Sequence, residues 1–207
     1  MKPYPNPDDE PVVSKLSDID LTGFYSYANY LRWEIDERLE LIKGRIYEMG
    51  APSTGHQKVS RVISGELYIY LKGQQCQVFS APFDVRLTYG AKLDHAITTV
   101  VQPDVCVICD ASKIDARGCL GAPDIVVEIL SPGNNKKELN IKYNLYEEFG
   151  VKEYWIVHPG KRCLMKYALN DNGKYETEEH YKNGDQVNSR LLPGFTLNLN
   201  EVLPDVY

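Results

Sequence analysis

The sequence predicts a single α/β domain, and three observations carry that prediction. The chain has 207 residues, enough for one ordinary domain with a sizeable core. Two short apolar runs, Asp124 to Leu130 and Glu153 to Val157, flank a helix-patterned stretch from about Lys136 to Phe149. Ser131-Pro132-Gly133 breaks the first run and Gly150 ends the helix. That order is a βαβ unit, so its two strands should be parallel and the crossover right-handed. Hydrophobic residues make up 43% and charged residues 25%, near globular averages, which disfavours disordered, collagen-like and low-complexity readings.

Met1 to Lys15 combines Pro3, Pro5, Pro7 and Pro11 with Asp8, Asp9 and Glu10. That is the composition of a tail or strap, without the basic start and apolar run of a signal peptide. The division drawn is a tail or strap over 1–19 and one domain over 20–207. From Asp20 to Trp33 the spacing of Phe24, Tyr27, Ala28 and Leu31 predicts a short helix. Leu39 to Ile42 and Arg45 to Met49 flank Lys43-Gly44 and read as a hairpin. Ser53 and Thr54 can cap a helix from about His56 to Leu71, with Val59, Val62, Ile63, Leu67 and Tyr70 on one side and Gly73 as its stop. Glu66 falls on that apolar side and is expected to pair with an Arg or Lys.

Strand-like runs follow at Gln77 to Phe79, Phe83 to Leu87 and Val100 to Ile108, the last two separated by a polar turn around Gly90 to Asp94. After the βαβ unit, Leu164 to Leu169 and Lys174 to Glu178 around Asp171-Asn172-Gly173 form a hairpin expected at one sheet edge. No internal repeat is present.

Several function classes fall away. No apolar run approaches the roughly 18 residues of a membrane helix, so a membrane role is not expected. Five cysteines without an export signal predict reduced thiols in a cytoplasmic compartment. Cys106 and Cys109 make a C-x-x-C, but on a strand that spacing points them to opposite faces, and no second ligand pair accompanies them. The net charge of −6 argues against a surface that wraps nucleic acid everywhere, while leaving room for a local basic groove. No Gly-x-Ser-x-Gly elbow or glycine-rich phosphate loop appears, and the four histidines lie in unlike contexts.

The chemistry gathers around two acids. Glu128 sits inside Ile125-Val126-Val127-Glu128-Ile129-Leu130, where an unpaired carboxylate would be costly. A salt bridge, a retained proton, or a divalent cation shared with Asp104 of Pro103-Asp104 would each compensate it, since hard cations take oxygen ligands. At about 100° per residue, Ile141, Leu145, Phe149, Tyr146, Leu139 and Tyr143 cover one arc of the following helix, and Lys142 falls in its middle. That ammonium is either a snorkelling lysine or a group reaching a buried carboxylate pair and a phosphate beside it.

Four stretches together resemble a known family: Pro103-Asp104-Val105; Ala122-Pro123-Asp124-Ile125-Val126-Val127-Glu128-Ile129-Leu130-Ser131-Pro132; Lys142 with Tyr146; and Gly150-Val151-Lys152-Glu153-Tyr154-Trp155-Ile156-Val157. They look like the Uma-two family of restriction endonucleases, within the PD-(D/E)XK nucleases, and the likeness runs from about Leu21 to Leu192-Pro193-Gly194-Phe195. The resemblance implies a restriction-endonuclease-like core, a mixed central β-sheet flanked by helices with additional N- and C-terminal hairpins. It implies that Asp104 and Glu128 ligate Mg2+ or Mn2+, with the Ile129 carbonyl as a further donor. The superfamily lysine two positions after the acid is Leu130 here, and Lys142 occupies the family's matching helix position.

Two more positions match the family's N-terminal motif: Glu40 in Leu39-Glu40-Leu41-Ile42-Lys43-Gly44, a third catalytic acid or an exposed strand glutamate, and His56, a substrate contact or a local hydrogen-bonder. The implied activity is cleavage of nucleic acid, DNA before RNA, leaving 5′-phosphate and 3′-hydroxyl ends, by a homodimer. The competing expectation is a nuclease-shaped binding or assembly module that no longer cuts, motivated by the acidic net charge and the missing E-x-K lysine.

Overall fold

The computed structural model describes residues 12–131 and 136–203. Most of the Pro-rich strap and the breaker pair Pro132-Gly133 therefore lie outside the described residues. In chain order the strands are β1 (Leu39–Ile42), β2 (Arg45–Glu48), β3 (Gln77–Ser80), β4 (Val85–Arg86), β5 (Val100–Val101), β6 (Val105–Ile108) and β7 (Ile114–Asp115). They continue as β8 (Gly118–Leu120), β9 (Ile125–Ile129), β10 (Glu153–His158), β11 (Cys163–Leu169), β12 (Tyr175–Lys182), β13 (Gln186–Asn188) and β14 (Thr196–Asn198). The helices are α1 (Tyr27–Tyr30), α2 (Thr54–Leu71), α3 (Lys136–Phe149) and α4 (Leu199–Val202).

The strands form two six-stranded sheets, β2-β1-β5-β4-β8-β7 and β12-β11-β10-β9-β6-β3, and a small β13-β14 ladder. The second sheet is mixed: β9 and β10 run parallel across α3, in register from Ile125 opposite Glu153 to Ile129 opposite Val157, and the other pairs are antiparallel. This is the mixed α/β architecture expected of a restriction-endonuclease-like core, with the β11-β12 hairpin at one edge and the β1-β2 hairpin in the first sheet.

Period-two alternation explains why the central strands read as unbroken apolar runs: both faces are covered. Val105, Val107, Ile125, Val127, Trp155 and Val157 pack with Val59, Ile63, Leu67 and Leu71 of α2. Their alternating neighbours Cys106, Ile108, Val126, Tyr154 and Ile156 pack with Leu145 and Tyr146 of α3 and with Ile42, Val85 and Val101 of the first sheet. The termini of these elements follow local chemistry. Lys43 and Gly44 both take positive φ, 49° and 77°, the conformation of a tight primed hairpin turn. Ser53 caps α2, its side chain accepting from the His56 backbone N–H, and Gly73 at φ 79° follows its last turn.

Four expectations are corrected. The helix predicted over Asp20 to Trp33 shrinks to the single turn α1, because the Tyr25 and Tyr27 amides donate instead to Gly44 and Ile97 carbonyls. The run Val100 to Ile108 is two strands in two different sheets, divided at Gln102-Pro103-Asp104, where proline supplies no amide to a ladder. Glu66 has no Arg or Lys partner among the described residues. Finally, Cys76 and Cys109 form a disulfide rather than reduced thiols. The β3-β6 register places Gln77 opposite Ile108, so the next residues outward face one another. Cys106 and Cys109 do diverge, one packing on the α3 side and the other on the α2 side.

Candidate active site

Alternation along β9 decides where its acid goes. Ile125, Val127 and Ile129 face α2, so Glu128 shares the α3 side with Val126. There Glu128 is 8% exposed, and its Oε1 accepts hydrogen bonds from Lys142 Nζ at 2.8 Å and Tyr146 OH at 2.7 Å. Lys142 and Tyr146 are one helical turn apart on α3, which is why both reach the same oxygen. Lys142 Nζ also donates to Glu40 Oε1 at 2.9 Å, tying β1 to the site, and the Gln102 amide donates to that same Glu40 oxygen at 2.9 Å.

Asp104 stands at the β5-β6 break. Its Oδ2 accepts from the Ile129 amide at 2.7 Å, one residue beyond Glu128, and lies 3.1 Å from His56 Nε2 at the start of α2. All five residues singled out from the sequence, Glu40, His56, Asp104, Glu128 and Lys142, thus line one cavity of about 600 Å3. Leu130 lines it too, with no charge to offer, and it is Lys142 from α3 that brings an ammonium to the acid.

The electrostatics of the cluster are strongly perturbed. Burial pushes the Glu128 carboxyl up to about 7; Lys142 opposes the rise, while Asp104 and Glu40 add to it. Burial works against the Lys142 ammonium, but Glu128 and Glu40 outweigh it and hold the group above the ordinary lysine range. For His56 burial again opposes the charge, and the hydrogen bond and charge of Asp104, helped by Glu128, raise the imidazole's pKa overall. Burial and the neighbouring Glu128 keep the Tyr146 phenol protonated.

The donor set suits a hard cation. Among the described residues no group of three or more His, Cys, Asp or Glu side chains is arranged to hold a metal. Magnesium, however, is commonly held by one or two carboxylates with water and substrate phosphate completing the shell. Asp104 uses Oδ2 and Glu128 uses Oε1 for hydrogen bonds, while Oδ1 and Oε2 accept none from any described residue. Two further polar atoms of cavity-lining residues are buried without a partner, His56 Nδ1 and Tyr154 OH.

Sequence reasoning passed over two groups here. Tyr146 figures in the motif without a role, although its place one turn after Lys142 on the same arc points it to the same carboxylate. Arg38 went unnoticed, although it precedes Glu40 by two residues and therefore shares its side of the extended chain. Its Nε and Nη2 donate to Gln102 Oε1 at 3.2 and 2.8 Å.

Comparison with known proteins adds three findings. The Uma2 family model, described as "Putative restriction endonuclease", matches residues 27–200. Two curated relatives come from Synechocystis sp.: uncharacterized protein slr1290 is 27% identical over 153 residues, covering 72% of this chain and 77% of that one. Uncharacterized protein sll1609 is 24% identical over 169 residues, covering 80% and 85%. A crystal structure of a protein from Anabaena variabilis, described as a "putative nuclease belonging to DUF820", superposes with a TM-score of 0.68 at 19% identity. It covers 86% of this chain and 97% of its own, and at that identity the likeness speaks for the fold.

Proposed function

The chain belongs to the Uma2 family, and on that premise we propose that it is a divalent-cation-dependent endonuclease that hydrolyses phosphodiester bonds of nucleic acid, DNA first. The observation that carries the reading is the convergence of Asp104, Glu128, Lys142, Glu40 and His56, from five separate segments, on one cavity. Structural ion pairs rarely need a buried carboxylate pair, a buried ammonium and an orphaned imidazole nitrogen in one place.

In this reading Asp104 and Glu128 would hold Mg2+ or Mn2+. The cation, when bound, polarises the scissile phosphate and acidifies a water molecule. Lys142 keeps its charge beside Glu128 and Glu40 and donates to the phosphoryl oxygens as negative charge grows on them. Glu40 orients Lys142 from the opposite side. His56 fixes Asp104 through Nε2 and, from the start of α2 on the cavity wall, is the candidate substrate contact. The single domain acts as a homodimer.

The reading is tested by incubating supercoiled plasmid with the purified protein. Nicking in Mn2+ or Mg2+, abolished by chelator and by Glu128→Gln, is the expected result. Intact plasmid under every cation, with the protein folded, would return the chain to the binding-module class.

A further inference from the structure

We infer that Arg38 and Arg61 form a two-point phosphate clamp on the wall of the same cavity, gripping the nucleic-acid backbone beside the carboxylates. The inference rests on the nuclease reading and adds two residues to it. Both arginines line the cavity that holds Asp104, Glu128 and Lys142. Neither has a carboxylate within ion-pair distance among the described residues. Arg86, Arg117 and Arg190, by contrast, are paired with Asp115, Asp94 and Glu179.

Arg38 is held without being neutralised. Its two donors go to the neutral amide oxygen of Gln102, whose own Nε2 donates to Asp84 Oδ1 at 2.9 Å and Tyr30 OH at 3.3 Å, and whose backbone amide fixes Glu40. An amide relay of this kind sets the plane of the guanidinium and leaves its positive charge uncompensated, which suits bidentate recognition of a phosphate. Arg61 lies on α2, and with Gln57, Ser60 and Ser64 it forms a polar stripe at three- and four-residue spacing that also lines the cavity. The stripe contrasts with another face of α2, where Val59, Ile63 and Leu67 are fully buried. A single basic side chain would bind any anion; two on different elements, lining the cavity that holds the carboxylates, fit a chain of phosphates.

The test is fluorescence anisotropy of a labelled short DNA duplex titrated with the full chain in chelator, across a series of salt concentrations. Arg38→Gln and Arg61→Gln should each weaken binding roughly tenfold at low salt and each reduce the slope of log affinity against log salt by about 1. Arg38→Lys keeps the charge and loses the fork, so it should keep the slope and recover part of the affinity. Lys92→Gln, outside the cavity, should change neither. Arg61 has no partner to lose, so its variant reports on the clamp even if Arg38→Gln unfolds the Gln102 network. Unchanged slopes in both arginine variants, an equal loss in Lys92→Gln, or a wild type that binds no duplex would overturn the clamp. The chelator keeps this separate from catalysis: a protein that binds through these arginines but never nicks plasmid retains the clamp and loses the nuclease reading, and the reverse pattern does the opposite.

Discussion

Replacing Lys142 with methionine keeps the length and apolar stem of the side chain and removes only the ammonium. In the folded protein that ammonium lies 2.8 Å from Glu128 and 2.9 Å from Glu40, with side-chain exposures of 17%, 11% and 5% for the three. Removing one partner of a buried ionic group is destabilising by about 3 kcal/mol or more, because the remaining charges are left uncompensated. At roughly 2–4 °C per kcal/mol for a domain of this size, Tm of chelated Lys142→Met should fall by roughly 6–12 °C at neutral pH. The pH dependence has a definite sign. Glu128 holds its proton to about pH 7 in the fold, above its ordinary value of 4.5, so the stability it contributes is complete below about 4.5 and is lost as the pH rises through about 7. Without the ammonium Glu128 holds its proton to a higher pH and the loss is larger, so the gap between variant and wild type should widen from pH 5 to pH 8. Mg2+ should narrow it by supplying the missing positive charge to the ionised acid and binding only the native state. Differential scanning fluorimetry over that pH range, with and without Mg2+, reads all three effects. A shift below about 2 °C at every pH would refute the premise that Lys142 compensates the two acids.

Tyr146→Phe removes the hydroxyl that donates to Glu128 Oε1 while leaving the ring, which packs against Tyr154, in place. Its expected effect is a cation affinity lowered about tenfold with Tm nearly unchanged, checked by calorimetry and fluorimetry on the same sample. Glu153→Gln addresses the opposite face of the sheet, where the 1% exposed carboxylate accepts from Trp155 Nε1, Ser189 Oγ and the Arg190 and Leu191 amides. A neutral amide there cannot accept all four, so stability should drop by about 2 kcal/mol in urea denaturation, with cation affinity retained.

Much of the centre of the fold was legible because the βαβ unit carries its own punctuation: α3 spans the predicted Lys136 to Phe149, and β9 and β10 pair in parallel as expected. Three of the four misreadings share a cause, which is that long-range pairing overrode local pattern. α1 is short because the Gly44 and Ile97 carbonyls capture the amides of Tyr25 and Tyr27. The run from Val100 divides because its halves belong to different sheets. Cys76 and Cys109 meet because β3 pairs with β6, a register that spacing along the chain does not contain. The site divides similarly. A lysine in an apolar arc and a glutamate in an apolar strand are local anomalies, and both could be named from the sequence. Arg38 and Gln102 look like ordinary polar residues, and only their junction with Glu40 gives them significance.

The central claim is that Asp104 and Glu128 together hold a divalent cation, and calorimetric titration of Mn2+ into wild type, Asp104→Asn and Glu128→Gln tests it most directly. The account predicts saturable uptake near one ion per chain in wild type and loss of that uptake in both variants, each still folded by circular dichroism. A wild type that takes up no cation, or variants that bind it as well as wild type does, would contradict it.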